Sequence, residues 1–273
     1  MRFRGVIRSL LFASVMLAGL AQASPDARQV LEASSIADMV AQYPEMMSQG
    51  VQDGLRQSGQ VPAMVTDSIG FVVRSMVSAA TIERHLVADL DAGLSDQQLQ
   101  AVYDWYQTPV AQKISEAEVA ASAPAAWAEV RRQAQALNEQ HRGTPRARLF
   151  SRFDSASRAT ESVVDTAIAV QLGLGSALAA LSQDSVRHES LRDQLEAQRP
   201  ALRAMVEQQV YDSYLYTYQD LSLQELQLYL EFLESGAGQE FTRVVTDSLQ
   251  RSITEPLDSI GARLTGLMNF GRQ

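Results

Sequence analysis

Apolar residues recur along most of this chain at intervals of three and four, the period of a helix with one buried face. Leu99, Val102, Tyr103 and Tyr106 stand at i, i+3, i+4 and i+7. Leu226, Tyr229, Leu230 and Leu233 repeat the pattern 127 positions later. Each set predicts an amphipathic helix of about three turns, with Asp104 or Glu231 on its solvent side. No alternation of apolar and polar residues runs long enough to predict a strand.

The repetition extends beyond the apolar stripe. Leu94 to Gln107 aligns with Leu221 to Glu234, and Leu94, Ser95, Gln97, Leu99 and Gln100 are identical to their counterparts. Trp105 aligns with Phe232, and Asp104 with Glu231. Ser95 with Gln98, and Ser222 with Glu225, have the spacing of a capping box. In such a box the serine oxygen accepts from a free amide of the first turn, and the residue three later reaches back. Thr108 to Ile114 then aligns with Ser235 to Phe241, where the chain should break and restart. Pro109 disfavours helix at Thr108 and suits the first turn of the next helix. Gly236 offers a different stop, a left-handed residue. Small residues at Ala111 and Gly238 would let the two helices approach closely.

A longer helix should precede each motif, with Arg74 to Val77 matching Arg203 to Val206, and with Pro62 and Pro200 near the helix starts. Residues 28–58 and 148–182 are weakly periodic, with Pro44 and the Gly173/Gly175 pair as expected breaks. Residues 115–140 predict an Ala-rich helix kinked at Pro124. The expected fold is therefore all-α, a helical bundle of two repeated units related by an internal pseudo-twofold. The first unit occupies 24–140, a linker 141–147 and the second unit 148–273, the linker resting on Gly143 and Pro145.

Residues 1–23 read as a secretory signal peptide. Arg2, Arg4 and Arg8 form the positive start, Leu10 to Leu20 the apolar stretch, and Ala21-Gln22-Ala23 the cleavage site. The mature chain should begin at Ser24. The apolar run of 11 residues falls short of the roughly 20 needed to span a bilayer as a helix. The periplasm is the expected location, with secretion as the alternative, and no transmembrane segment is expected in the mature chain.

Composition narrows the chemistry. Without the leader the 273-residue chain carries 20 basic against 32 acidic side chains, which disfavours nucleic acid as a partner. There is no cysteine, so a disulfide, a thiolate metal site and a cysteine nucleophile are excluded. Hydrophobic residues make up 46% of the chain, enough for a real core.

The two aligned passages resemble the bacterial domain family of unknown function DUF2059. Its signature is a Leu-Ser/Thr-x-x-Glu/Gln-Leu helix start, an aromatic-containing turn, then Ser-Pro-x-Gly-Gln-Lys opening the next helix. The first passage keeps Thr108-Pro109 and Gln112-Lys113 but has Ala111 for the glycine. The second keeps Ser235, Gly238 and Gln239, with Gly236 for the proline and Glu240 for the lysine. The resemblance implies a helical exported protein and carries no catalytic residue to transfer.

Residues able to carry chemistry are few. His85 and Asp89 share a helix face at i, i+4, as do Asp184 and His188, a spacing that metal ligands can use. Solvated, salt-bridged charged surface is the commoner explanation of both pairs, since no zinc-site spacing accompanies them. No nucleophile elbow, Ser-x-x-Lys pair, phosphate-binding loop or dinucleotide fingerprint is present. Tyr211, Tyr214 and Tyr218 stripe one helix face, which suits a groove or, more commonly, a core with hydroxyls reaching the surface. Met39, Met46, Met47, Met64 and Met76 give the first half adaptable apolar faces. No catalytic, metal or cofactor-binding residue is assigned. The expected function is a non-enzymatic binding or accessory protein of the cell envelope, its partner an envelope protein or an apolar ligand. A lipid or small-molecule carrier with a cavity between the repeats is the alternative, and a carboxylate-dependent hydrolase a third.

Overall fold

The computed structural model of the protein describes residues 24–59, 62–182 and 188–257. The proposed leader, residues 1–23, lies outside them. Among the described residues the fold is all-α, with twelve helices and no strand. The first half holds α1 (Ala27–Ala33), α2 (Ile36–Ser58), α3 (Ala63–Met76), α4 (Ala79–Gly93), α5 (Asp96–Tyr106), α6 (Pro109–Ser122) and α7 (Pro124–His141). The second half holds α8 (Pro145–Ser157), α9 (Ala159–Ser182), α10 (His188–Thr217), α11 (Leu223–Glu234) and α12 (Gly236–Leu257). No single helix among the described residues is long and apolar enough to cross a membrane.

Local chemistry starts α5 and α11 in the same way. Ser95 and Ser222 each accept from the backbone amide three residues on, and Gln98 and Glu225 each return a bond to the cap amide. The joints that follow also share one device. Thr108 Oγ1 donates to the Trp105 carbonyl at 2.7 Å and accepts from the Ala111 amide. Ser235 Oγ donates to the Phe232 carbonyl at 2.7 Å and accepts from the Gly238 amide. A Cβ at Gly238 would collide with the Phe232 carbonyl oxygen, so glycine lets α12 close onto α11. Gly238→Ala should lower stability by about 1–3 kcal/mol in a urea melt. An unchanged midpoint would show that the joint relaxes freely.

Several breaks expected from proline and glycine are absent. α2 continues through Pro44 and α10 through Pro200, so Pro200 lies well inside its helix and not near the start. Proline forfeits one backbone bond in each case, and in α2 the buried Val40, Ser48 and Val51 hold the helix on both sides. α9 likewise runs through Gly173 and Gly175. A Cβ at Gly175 would stand 2.6 Å from Leu191 Cδ2, so this glycine serves close packing against α10. The opposite correction applies at Pro124. Ala123 is extended (φ −62°, ψ 136°) and Pro124 opens a new helix, so residues 115–140 form parts of two helices. The long helix expected before the first motif is also two, because Val77 and Ser78 are extended. Arg74 to Val77 therefore lies at the end of α3, whereas Arg203 to Val206 lies within α10. Of the residues read as linker, His141 ends α7 and Pro145 to Ala147 begin α8.

The halves share one core. Leu31, Leu86, Leu90, Val102 and Ile114 of the first are continuous with Phe150, Phe153, Leu215, Leu226 and Phe241 of the second. Helices cross between halves in both directions, α12 packing on α4 and α7 on α10. At the centre, Trp105 and Phe232 stack on each other with centroids 4.8 Å apart and planes 6° from parallel. Two smaller clusters sit under the hairpins α2–α3 and α9–α10.

Candidate functional site

The histidine pairs serve structure or lie out of view. His85 Nδ1 is 3.0 Å from Ser252 Oγ, and Asp89 accepts from Arg251 at 2.7 Å, so both tie α4 to α12. Glu83 pairs with Arg28 at 3.2 Å. Asp184 and the side chain of His188 lie outside the described residues. Among the described residues no three His, Asp or Glu side chains converge as metal ligands would.

Tyr214 and Tyr218 of the stripe belong to the core, and their hydroxyls are bonded within it, whereas Tyr211 is half-buried at its edge. Tyr214 and Tyr218 of the α10 end and Tyr229 of α11 pack around Phe150 and Phe153 of α8. Tyr218 and Tyr229 both donate to Glu118 Oε1, at 2.6 and 2.9 Å, and Tyr214 bonds Ser157 Oγ at 3.0 Å. The expectation that the hydroxyls reach the surface fails for Tyr218, because α6 of the other half brings a carboxylate to it, and for Tyr214, whose hydroxyl meets Ser157. Burial raises the Glu118 pKa above its ordinary value, and the two phenol bonds oppose part of that rise. Burial first, and then the Glu118 charge, push the Tyr218 and Tyr229 hydroxyls well above theirs. Sequence reasoning passed over Glu118. It stands four residues after Ile114 on the apolar stripe of α6, and its aligned counterpart is the buried Val245.

Other polar groups at the junction are also spent on assembly. Lys113 of α6 donates to Glu225 at 2.9 Å and to the Asp220 carbonyl at 3.0 Å. Within the second half, Arg146 of α8 donates to the carbonyls of Tyr218 and Leu221. An open cleft lies elsewhere.

That cleft, of about 440 Å³, lies inside the first half, between the α1–α2 corner and α6. Ala33, Ser35 and Asp38 form one wall, and Gln112, Ser115, Glu116, Val119 and Ala120 the other. Ser35 caps α2 in the left-handed region, φ 57° and ψ 11°, without a side-chain capping bond. A serine held there costs about 1–2 kcal/mol. Ser115 is 4% exposed and its Oγ has no hydrogen-bond partner. Asp38 and Glu116 are exposed and enter no ion pair among the described residues. Gln42 Nε2 donates to Ser122 Oγ at 2.8 Å and so ties α2 to α6 beyond the cleft. None of these residues stood out in the sequence, because the cleft exists only where two distant helices meet.

One apolar surface is also uncovered. Met64 and Phe71, seven residues apart on α3, are 82% and 70% exposed.

Residues 80–140 match the family model described as an uncharacterized protein conserved in bacteria, DUF2059. The match runs from α4 to α7 and includes Ser115, Glu116 and Glu118. No curated protein and no solved structure matches the chain.

Proposed function

We propose that this is an exported protein of the bacterial cell envelope that acts by binding a ligand, without catalysis, and that its two halves are copies of one unit. The observation that carries the binding reading is the cleft between α2 and α6. There Asp38 and Glu116, two exposed carboxylates without an ion pair, line open space, while polar groups at the junction are engaged in holding the halves together. The shared caps of α5 and α11, and the stacking of Trp105 on its aligned counterpart Phe232, support the duplicated-unit reading. A pseudo-twofold passing between two aligned residues places them against each other. Residues 1–23 support export, and the periplasm suits a chain that would start at Ser24.

A second reading, an accessory protein that holds an envelope protein, draws on exposed Met64 and Phe71. One experiment separates the two. Protein released from the producing bacterium by osmotic shock should begin at Ser24. Under native mass spectrometry it should carry a small-molecule adduct that Ser115→Leu removes and Phe71→Ser retains. A leader retained in the membrane would overturn the export, and an adduct-free spectrum would overturn the binding reading.

A further inference from the structure

We propose that residues 258–273 serve as a strap along the exposed face of α3, with Leu264, Leu267 and Met268 against Met64 and Phe71. The face asks for an apolar occupant. Met64 and Phe71 stand two turns apart on it, 82% and 70% exposed. Ser68 between them is turned back on its own helix, its Oγ donating to the Met64 carbonyl at 2.8 Å. The charges of α3 are already matched, Asp67 by Arg56 at 3.1 Å and Arg74 by Glu45 at 2.8 Å. An uncovered apolar patch rimmed by polar residues marks a docking surface.

The direction of α12 sends the following residues to α3. The described residues end with α12 at Leu257. A Cβ at Gly93 would stand 2.7 Å from Val244 Cγ2, Asp89 accepts from Arg251, and His85 Nδ1 is 3.0 Å from Ser252 Oγ. Eight positions forward along α12 thus match eight back along α4, so the two run antiparallel in a steady register. Leu257 comes level with the start of α4. The axis of α3 meets that of α4 at 40°, so α3 prolongs α4 and does not fold back on it. At the same pace, residues 264–268 reach the level of Phe71. α9 packs on α12, and its Val170 packs on the α2–α3 cluster, so α12 and α3 flank one helix.

The sequence of the strap completes the match. Ile260, Leu264, Leu267 and Met268 stand at i, i+4, i+7 and i+8, one apolar face of a helix. Gly261, Gly266 and Gly271 each cost a helix about 1 kcal/mol, so that face needs a surface to hold it. A helix of this stretch would be about 24 Å long, against about 21 Å for α3. An envelope protein seeking Met64 and Phe71 would have to displace the strap.

The chain has no cysteine, so single introduced thiols report on the strap. Ser68→Cys places one between Met64 and Phe71, and Ser155→Cys places a control on the exposed side of α8. Each is read in the mature protein as its rate of reaction with a small aromatic disulfide, relative to its rate in urea. Ser68→Cys should react about tenfold more slowly than the control at every protein concentration. Leu264→Glu with Leu267→Glu should abolish that protection and leave Ser155→Cys unchanged, whereas methionine at both positions should preserve it. Phe71→Asp strikes the other side of the contact at an exposed residue and should release the thiol in the same way. Equal rates for the two thiols, or protection that survives both the glutamate pair and Phe71→Asp, would overturn the strap. Protection that grows with protein concentration, as a second copy would give, or that appears only with phospholipid vesicles would overturn it too.

Discussion

Phe153→Ala should destabilise the protein by about 3–5 kcal/mol, the range for removing a buried phenylalanine ring. Phe153 is 1% exposed and occupies the middle of the ring cluster. Its ring meets Phe150 edge-on at 5.8 Å and Tyr229 edge-on at 5.3 Å, with Tyr218 tilted against it at 5.9 Å. Tyr218 and Tyr229 in turn hold Glu118 of the other half. The substitution therefore opens a cavity in the shared core and loosens the bonds across the halves together. Since whole domains are stable by only about 5–15 kcal/mol, the variant should be close to unfolding at physiological temperature. Phe153→Leu should cost much less, because it keeps most of the volume. Urea denaturation followed by far-UV circular dichroism measures both. A loss below about 1 kcal/mol for alanine would show that the rings fill space without supporting the fold.

Glu118→Gln should stabilise the protein at neutral pH and change little in acid. Burial raises the Glu118 pKa from its ordinary 4.5, with phenol bonds from Tyr218 and Tyr229 working against the rise. The groups facing it are neutral rings, Tyr218 of the α10 end, Tyr229 of α11 and Tyr106 of α5. A folded pKa above the unfolded one means that the native state holds the proton more tightly. Its stabilising contribution is full below the unfolded pKa and is lost as pH rises from about 4.5 through the raised value. Carboxylates with lowered pKa act in the opposite direction, Glu225 among them at about 2, held down first by the Ser222 backbone bond and then by Lys113. The difference between wild type and variant isolates Glu118 from them. Thermal melts between pH 4 and pH 8 should show curves that coincide in acid and separate above it, with glutamine the more stable. Parallel curves would mean that the carboxylate is solvated.

What could be read from the sequence followed how local each feature is. The capping boxes at Ser95 and Ser222 and the joint at Thr108 depend on residues within four positions and form as the spacing predicts. The joint at Ser235 falls where expected but is made by an extended Ser235 cap and not by a left-handed Gly236. Pro44, Pro200, Gly173 and Gly175 were misleading because helix continuity there is decided by packing that the local sequence does not contain. At Gly175 the deciding neighbour is Leu191. Glu118 was hidden among many carboxylates, although its place between Ile114 and the counterpart of Val245 marks it as facing inward. The cleft was beyond reach. Ser35 takes a left-handed conformation that serine seldom adopts, and it meets Ser115 only through the tertiary fold.

A ligand should sit in the cleft between α2 and α6. Nitrogen-15 correlation spectra of the mature protein, recorded as small-molecule extract from the producing bacterium's envelope is added, map that place residue by residue. Shifts should gather on the amides of Ala33 to Asp38 and of Gln112 to Ala120, and they should vanish in Ser115→Leu while its other resonances keep wild-type positions. Shifts centred on the ring cluster around Phe153, on Met64 and Phe71, or nowhere would contradict it.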